Sequence, residues 1–159
     1  MTIKHARISL TIERLWQFSL QYYSVSEVKE ACLLIQNQHH GNVNLLLLLI
    51  WLDEQHVRFS SQDWPTLNLC LQRSESLLHD YRELRKQFKT HLPDSVYRKS
   101  LQFELQLEKQ QQSDLVECIN QMTLTNNNTD PLTLEYCRQH GAEHLYQALT
   151  HPHPPLKLD

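Results

Sequence analysis

The sequence predicts an all-α protein: one bundle of five to seven helices that includes a long antiparallel helical hairpin. The chain has only two glycines in 159 residues, too few for the turns and bulges of a strand-rich fold. Leu, Gln and Glu, whose unbranched side chains lose little freedom in a helix, are abundant. Apolar residues recur at spacings of three and four along most of the chain. The length suits a single domain, with residues 1–9 and 150–159 expected to be loose tails.

The composition narrows the class of protein. Hydrophobic residues make up 40% of the chain and charged residues 21%, which is typical of a globular protein. The formal net charge of −3 argues against a protein that binds nucleic acid with its whole surface. Residues 1–10 lack the apolar segment of a secretory signal peptide, so we expect a soluble, cytoplasmic protein. No two of the four cysteines form a CxxC pair, and we expect free, buried thiols.

Two helices are predicted before residue 40. Leu15, Phe18 and Tyr22 lie three and four residues apart, which predicts a first helix over residues 10–23. Ser24 or Ser26 is expected to cap the second helix, which should end near residue 39. The apolar stripe of this second helix consists of Val28, Ala31, Cys32 and Ile35.

The third helix is predicted to be the centre of the fold. Gly41 is expected to end the second helix in the left-handed conformation that glycine tolerates, and Asn42 to cap a helix over residues 43–55. Residues 43–52 are apolar on nearly every side except at Asn44. A membrane span needs about 20 apolar residues, so this shorter run predicts a buried core helix.

The hairpin is predicted from two long helical segments. Trp64-Pro65 opens a fourth helix that should end near residues 91–93, and a turn with a cap at residues 93–95 leads to a fifth helix over residues 96–122. Residues 110–112, all glutamine, interrupt the apolar stripe of the fifth helix. The fourth helix has a heptad-like stripe that fits either packing within the chain or a dimer. That stripe is Leu77, Tyr81, Leu84 and Phe88, and that of the fifth helix is Tyr97, Leu101, Leu105, Leu115, Ile119 and Met122.

The last predicted helix covers residues 132–149. It follows a polar loop over residues 125–131, and Gly141 is expected to break it. Three histidine or cysteine side chains on this helix, Cys137, His140 and His144, are a weak candidate for a zinc site, with His151 and His153 close behind. The favoured interpretation is an ordinary helix end with exposed histidines, and no metal.

A basic segment is the candidate partner surface. Between positions 82 and 99 there are six basic residues against Glu83 and Asp94. Such a segment could contact phosphates or an acidic protein, or it could simply be a solvated helix end. Its residues are Arg82, Arg85, Lys86 and Lys89, with Arg98 and Lys99 across the turn.

A polar pocket is the alternative site. Gln36 and Asn44 lie close to apolar stripes, and with Trp16 and Trp51 they could line a small-molecule pocket beside the central helix. The competing interpretation is that these polar groups hydrogen-bond neighbouring backbone. The paired carboxylates Asp53-Glu54 and Glu104/Glu108 are interpreted as ordinary helix-surface charges.

Known catalytic motifs are missing from the sequence. It contains no P-loop, no G-x-G-x-x-G, no G-x-S-x-G and no H-E-x-x-H. The sequence therefore favours a protein that is not an enzyme and needs no cofactor.

The first third of the chain resembles a proteobacterial family whose shared domain has no assigned function. The motifs are Trp16-x-Phe18-Ser19-Leu20, Ala31-Cys32-Leu33-x-x-Gln36 and Gly41-x-Val43-Asn44-Leu45-Leu46-Leu47 followed by Trp51-Leu52. The resemblance extends over residues 10–120 through Leu84-Arg85 with Lys89, and Tyr97-Arg98 with Glu104 and Glu108. It implies a bacterial, non-secreted protein with no assigned activity, whose relatives are encoded near an ABC-type ATPase linked to ribosomes. Residues 77–81 depart from the family's more basic, proline-containing pattern, which weakens a phosphate-binding role.

The leading functional hypothesis is therefore an interaction or adaptor protein that uses its basic helix end. We expect a protein partner, with RNA or a ribosome-associated particle as alternatives, and no membrane. The second hypothesis is a small-molecule-binding or enzymatic helical domain with a pocket near residues 43–52. The sequence leaves the oligomeric state open.

Overall fold

The computed structural model describes residues 10–151. Of the predicted tails at residues 1–9 and 150–159, only Thr150 and His151 are therefore described, and Thr150 is the last residue of a helix and not part of a loose tail. Within the described part the chain is all-α, as predicted, with a single two-stranded antiparallel sheet. The helices are α1 (Ile12–Tyr23), α2 (Ser26–Gln38), α3 (Val43–Glu54), α4 (Trp64–His91), α5 (Asp94–Asn120), α6 (Leu132–Gln139) and α7 (Tyr146–Thr150). The strands are β1 (Val57–Arg58) and β2 (Thr125–Asn126), and short 3-10 turns cover Ser61–Asp63 and Glu143–Leu145.

Helix α3 is the centre of the core, as its apolar run predicts. Every residue from Asn44 to Leu52 is buried. The Asn42 side chain caps the helix by accepting a hydrogen bond from the Leu45 N–H at 2.8 Å. Helices α1, α2, α5 and α6 and strand β1 pack around α3, which explains why the helix needs no polar side.

Helices α4 and α5 form the predicted antiparallel hairpin. They have 28 and 27 residues and are joined at Leu92-Pro93. At 1.5 Å per residue each is about 40 Å long. The buried apolar residues of α4 are Trp64, Leu67, Leu71 and Leu78, all within residues 64–78. The second half of the hairpin therefore projects beyond the core.

Two predicted caps are wrong. Helix α2 begins after Val25, whose side chain makes no capping bond, so neither Ser24 nor Ser26 is the cap. Ser24 still has helical dihedral angles, and its hydroxyl donates back to the Gln21 carbonyl. Likewise α5 begins after Pro93 without a side-chain cap. Both connections are short: the Val25 N–H still donates to the Tyr22 carbonyl of α1 at 3.2 Å, and the Leu92 N–H to the Phe88 carbonyl of α4 at 2.9 Å.

Gly41 has a different role from the one predicted. The left-handed residue after α2 is His40, with φ 56°, and not Gly41. A Cβ at Gly41 would lie 2.1 Å from Ile35 Cγ2, so the position requires glycine for space and not for its dihedral angles. The close approach lets the Gly41 N–H donate to the Ile35 carbonyl at 3.0 Å, which ends α2.

We expect Gly41→Ala to lower the free energy of unfolding by about 1–3 kcal/mol, because the new methyl group overpacks a fully buried isoleucine. The matched control is Gly141→Ala, where φ is 64° but no atom lies within 4 Å of the new Cβ. That change should cost about 1 kcal/mol through backbone strain alone. Urea denaturation of both variants measures the difference. An unchanged stability for Gly41→Ala would contradict the steric argument.

The C-terminal part breaks where the sequence predicts. Helix α6 ends just before Gly141, which takes a left-handed φ of 64°. The predicted polar loop, however, contains strand β2, which pairs with β1 in the register Val57 to Asn126 and Arg58 to Thr125. Strands of two residues are too short to show an alternating pattern, so the sequence analysis missed them.

Asp53 is not the ordinary surface charge that the sequence analysis assumed. Helix α6 begins after Pro131, whose side chain cannot accept a hydrogen bond. The Asp53 carboxylate, from the end of α3, accepts instead from the Leu132 N–H at 2.8 Å and the Thr133 N–H at 3.0 Å. It also accepts from the Thr133 hydroxyl at 2.5 Å. Asp53 thus caps α6 from a distant part of the chain.

None of the helices within residues 10–151 combines the length and the apolar character that crossing a membrane requires.

Candidate functional site

A buried polar cluster lies where α3 meets the hairpin. We define it as Asn42, Asn44, Ser74, Gln111 and Gln112. The Gln111 carbonyl oxygen accepts from the side-chain amides of Asn42 at 3.1 Å and Asn44 at 2.8 Å. The Gln111 amide donates to the Ser74 hydroxyl at 2.9 Å. Gln111 and Gln112 are each only 1% exposed, so two of the three glutamines of the predicted polar gap in α5 are part of the core, while Gln110 is exposed.

The cluster also connects to α1 and α6. The Gln112 amide donates to the Ser19 hydroxyl at 2.8 Å and to the Asn44 carbonyl oxygen at 3.2 Å. The Asn42 backbone N–H donates to the Tyr136 hydroxyl at 2.8 Å. One set of hydrogen bonds therefore fixes the relative positions of five helices, because each buried polar group needs its partner.

The four residues of the predicted pocket are not brought together around a cavity. Asn44 belongs to the buried polar cluster, and Trp51 is buried in the core. Gln36 is half-buried on α2, while Trp16 lies under the Lys109 ammonium, 5.9 Å from its ring centre. None of the four lines either of the two cavities described below.

Three of the four residues predicted as a basic partner surface have carboxylate neighbours. Arg82 contacts Glu108 at 3.2 Å, and Arg85 contacts Glu104 at 3.1 Å, across the hairpin. Lys86 contacts Glu83 at 3.0 Å on its own helix, and Lys89 is exposed. The count of charges along residues 82–99 missed Glu104 and Glu108, which follow that segment in sequence.

Glu104 and Glu108 are therefore more than surface charges. Glu104 is 9% exposed and lies between Arg82 and Arg85. Burial raises the pKa of Glu108, and the neighbouring Arg82 guanidinium partly opposes that shift. With the Tyr81 hydroxyl donating to the Ser100 carbonyl at 2.8 Å, the interior of the projecting part of the hairpin is ionic and polar.

On one side of this projecting part four large apolar residues are exposed, while Leu105, 48% exposed, lies on another side of α5. Leu77 is 67% exposed, Leu84 46%, Val96 42% and Phe103 49%. Leu77 and Leu84 are seven residues apart on α4, as are Val96 and Phe103 on α5, so each pair shares a side of its helix. The rings of Tyr81 and Phe103 are in edge contact with centres 5.4 Å apart. We call this surface the hairpin face: Leu77, Tyr81, Leu84, Phe88, Val96, Phe103 and Leu107.

A groove of about 1600 Å³ lies at the base of the hairpin, on the same side as the hairpin face. We call it the base groove. Asp114 lines it and lies eleven residues, or about three helical turns, after Phe103 on α5. Its other lining residues include Arg58, Phe59, Asp63, Leu69, Cys70, Arg73, Glu117, Cys118 and Met122.

The predicted metal residues have other neighbours. Cys137 is buried in the core. His140 Nδ1 lies 3.0 Å from the His39 carbonyl oxygen, and His39 Nδ1 lies 3.1 Å from that of His140. The His144 ring meets the His39 ring edge-on. In the described part of the chain, no three His, Cys, Asp or Glu side chains are arranged to hold a metal ion; His153 lies outside it.

Comparison with known proteins shows the family. The family described as "Protein of unknown function (DUF2390)" matches residues 14–115, which is more than half of the chain. The chain belongs to this family. The resemblance to a domain of unknown function is thus confirmed, and the match covers α1 to α4 and most of α5, including the hairpin face. No curated protein and no solved structure matches the chain.

Buried thiols and phenols predict a loss of stability at alkaline pH. Burial raises the pKa of Cys32 and Tyr136 to about 12 and that of Cys137 to about 11. The unfolded chain releases these protons at lower pH than the folded chain, so the stability is complete at neutral pH and falls between about pH 9 and 12. For Cys32 alone the loss is about 2 kcal/mol near pH 10.5.

Urea denaturation at a series of pH values measures this loss. The control is Cys32→Ala, which costs stability at every pH but removes one titrating thiol. Its stability should therefore fall less steeply than that of the wild type above pH 9. Equal slopes for the two proteins would show that Cys32 titrates normally in the folded chain.

Proposed function

We propose that this protein is a bacterial, cytoplasmic interaction or adaptor protein whose working surface is the hairpin face. The observation that carries the proposal is the inverted polarity of the projecting hairpin. Its ionic residues, such as Arg85 and Glu104, lie between the two helices at 3.1 Å. Its apolar residues, such as Leu77 and Phe103, are about half exposed or more.

This arrangement is unfavourable for an isolated chain. Each partly exposed leucine gives up a share of the about 1.5–3 kcal/mol that full burial of a leucine contributes. An exposed apolar patch with a polar rim is typical of a surface that binds another protein. The heptad spacing on α4 favours a partner that presents a helix with an apolar stripe, because such a helix packs with knobs into holes.

The proposal keeps the predicted function and moves its surface. Arg82 and Arg85 contact carboxylates between the two helices of the hairpin. In this proposal they stabilise the hairpin, and the partner contacts the hairpin face instead. Exposed charges such as Lys89 flank the hairpin face and would favour a partner with an acidic rim. An RNA or ribosome-associated partner is a weaker alternative, because fewer free positive charges remain than the sequence count suggested.

The test compares variants in a binding assay. The variant Leu77→Ser, Leu84→Ser and Phe103→Ser removes the apolar contacts from exposed positions. The matched control is Leu20→Ser, Leu33→Ser and Leu34→Ser, which changes exposed leucines on α1 and α2. Partners retained by immobilised wild type are identified by mass spectrometry, purified and titrated against each protein.

We expect the hairpin variant to bind a purified partner at least tenfold more weakly, and the control to bind as the wild type does. Circular dichroism checks that both variants keep their helical content. A partner that binds all three proteins equally would overturn the proposal. So would a wild-type protein that binds no direct partner, a second copy of this chain included.

A second candidate function rests on a smaller cavity. A space of about 460 Å³ lies at the end of α3, lined by Tyr22, Ile50, Glu54 and Tyr146 among others. This size suits a small molecule, and burial raises the pKa of Glu54. A library of cellular metabolites screened by thermal shift, against wild type and Ile50→Trp to fill the cavity, tests this small-molecule role. A compound that stabilises both proteins equally would argue against it.

A further inference from the structure

The base groove is lined by more acidic than basic side chains. Asp63, Asp114 and Glu117 line it. Of its two arginines, Arg58 is in an ion pair with Glu135 at 2.8 Å, which leaves Arg73 against three carboxylates. Leu69, which is 68% exposed, adds an apolar wall. The groove thus suits a basic segment that also carries apolar side chains.

The tip of the hairpin is such a segment, because it carries both basic and apolar side chains. Lys89 and His91 end α4, and Lys99 lies in the second turn of α5. Leu92 is half-buried and Val96 is 42% exposed. The acidic residue in this stretch is Asp94, so the tip is basic where the groove is acidic.

The tip cannot reach the groove of its own chain. Cys70 in the groove and Leu92 at the tip are separated by 22 residues of one helix, or about 33 Å at 1.5 Å per residue. Contacts such as Gln111 with Ser74 at 2.9 Å fix the two helices along their length. Any contact between the two surfaces therefore requires two molecules.

Resting on the proposed function of the hairpin face, we infer that its partner is a second copy of this chain. The two hairpins pack antiparallel, face to face, as a four-helix bundle, and each tip enters the base groove of the other copy. A two-fold axis near Tyr81 places Leu77 of each copy against Leu84 of the other. The tip of one hairpin then lies at the level of Cys70 in the other.

The charges agree with this arrangement. Lys99 lies four residues before Phe103, and Asp114 eleven residues after it, so all three share one side of α5. The same two-fold axis brings Lys99 of one copy to the level of Asp114 and Glu117 of the other. Because the contact is reciprocal, each dimer contains this charge contact twice.

The bundle also gives the exposed apolar side chains a shared core. Leu77, Leu84 and Phe103 of both copies would lie between the four helices, while the ion pairs of Arg82 and Arg85 stay inside each hairpin. The heptad spacing of α4 left dimerisation and packing within the chain equally open. The exposure of Leu77 and Leu84 now favours the dimer.

A charge swap tests the arrangement. The test uses two variants. The first carries Lys99→Glu, and the second carries both Asp114→Lys and Glu117→Lys. Each alone places like charges together at both contacts. A mixture of the two restores opposite charges at both contacts. The control is Lys29→Glu, which makes the same charge change on α2, away from the hairpin. Sedimentation velocity of full-length proteins over a hundredfold range of concentration measures the mass.

We expect wild type and Lys29→Glu to form dimers, each swap protein alone to dissociate at least tenfold more readily, and the mixture to recover the wild-type dimer. Recovery in the mixture also shows that both swap proteins are folded. A monomeric wild type at every concentration would overturn the inference. So would a dimer that Lys99→Glu leaves unchanged. If the wild type is monomeric but the serine variant of the hairpin face still loses a purified partner, the proposed function stands and only the dimer is wrong.

Discussion

Replacing Asp53 by alanine is expected to lower the free energy of unfolding by about 3–4 kcal/mol. The carboxylate accepts hydrogen bonds from two backbone N–H groups and one hydroxyl of α6, at distances of 2.5 to 3.0 Å. Leu132 and Thr133 are each 0% exposed, so water cannot replace the lost acceptor. A buried donor without a partner costs about 1–3 kcal/mol, and removing a helix cap about 1 kcal/mol.

The variant Asp53→Asn separates charge from hydrogen bonding. Its single carbonyl oxygen can still accept a hydrogen bond, so it should recover about half of the loss. The control is Glu54→Ala, an exposed neighbour on the same helix, which we expect to change stability by about 0.5 kcal/mol or less. Urea denaturation followed by circular dichroism measures all three. If Asp53→Ala and Glu54→Ala behave alike, the capping role is wrong.

Asp53 shows why part of the structure could not be predicted. A helix can be predicted from local sequence, because its apolar spacing and its end residues lie within the helix or next to it. The predicted boundaries of α3 and α4 accordingly lie within one or two residues of the observed ones. The cap of α6 comes from a residue 79 positions away from Leu132. Nothing near Pro131 in the sequence indicates that a distant carboxylate will supply the missing acceptor.

The charged residues of the hairpin follow the same logic. The basic segment is visible in the sequence, but the carboxylates that pair with its arginines are not. Glu104 contacts Arg85 only because the hairpin brings α5 back alongside α4. The apolar stripe of α4 was recognised too. Its heptad spacing does not distinguish packing within the chain from packing against another molecule, and the 67% exposure of Leu77 shows that α5 does not cover this stripe.

The last prediction concerns the buried polar cluster. Gln111→Leu should lower the free energy of unfolding by about 2–4 kcal/mol. Its carbonyl oxygen accepts from Asn42 and Asn44, and its amide donates to Ser74. Leucine has similar volume, so the cost comes mainly from polar groups that lose their partners in a site that is 1% exposed. The control is Gln110→Leu, at an exposed position on the same helix.

The double variant Gln111→Leu with Asn44→Leu distinguishes two roles of the buried polar cluster: pairing buried polar groups, or fixing α3 against the hairpin. If its hydrogen bonds serve mainly to avoid unpaired groups, removing both amides should recover part of the stability lost in the single variant, because two apolar groups can replace a bonded pair at little cost. The Asn42 amide would keep only its longer hydrogen bond to the Glu75 carboxylate at 3.4 Å, so recovery should be incomplete. If the double variant is instead less stable than the sum of the singles, the cluster fixes the position of α3 against the hairpin through cooperative hydrogen bonds. We expect partial recovery, since Gln112 and Ser19 also hold that junction through a separate bond at 2.8 Å.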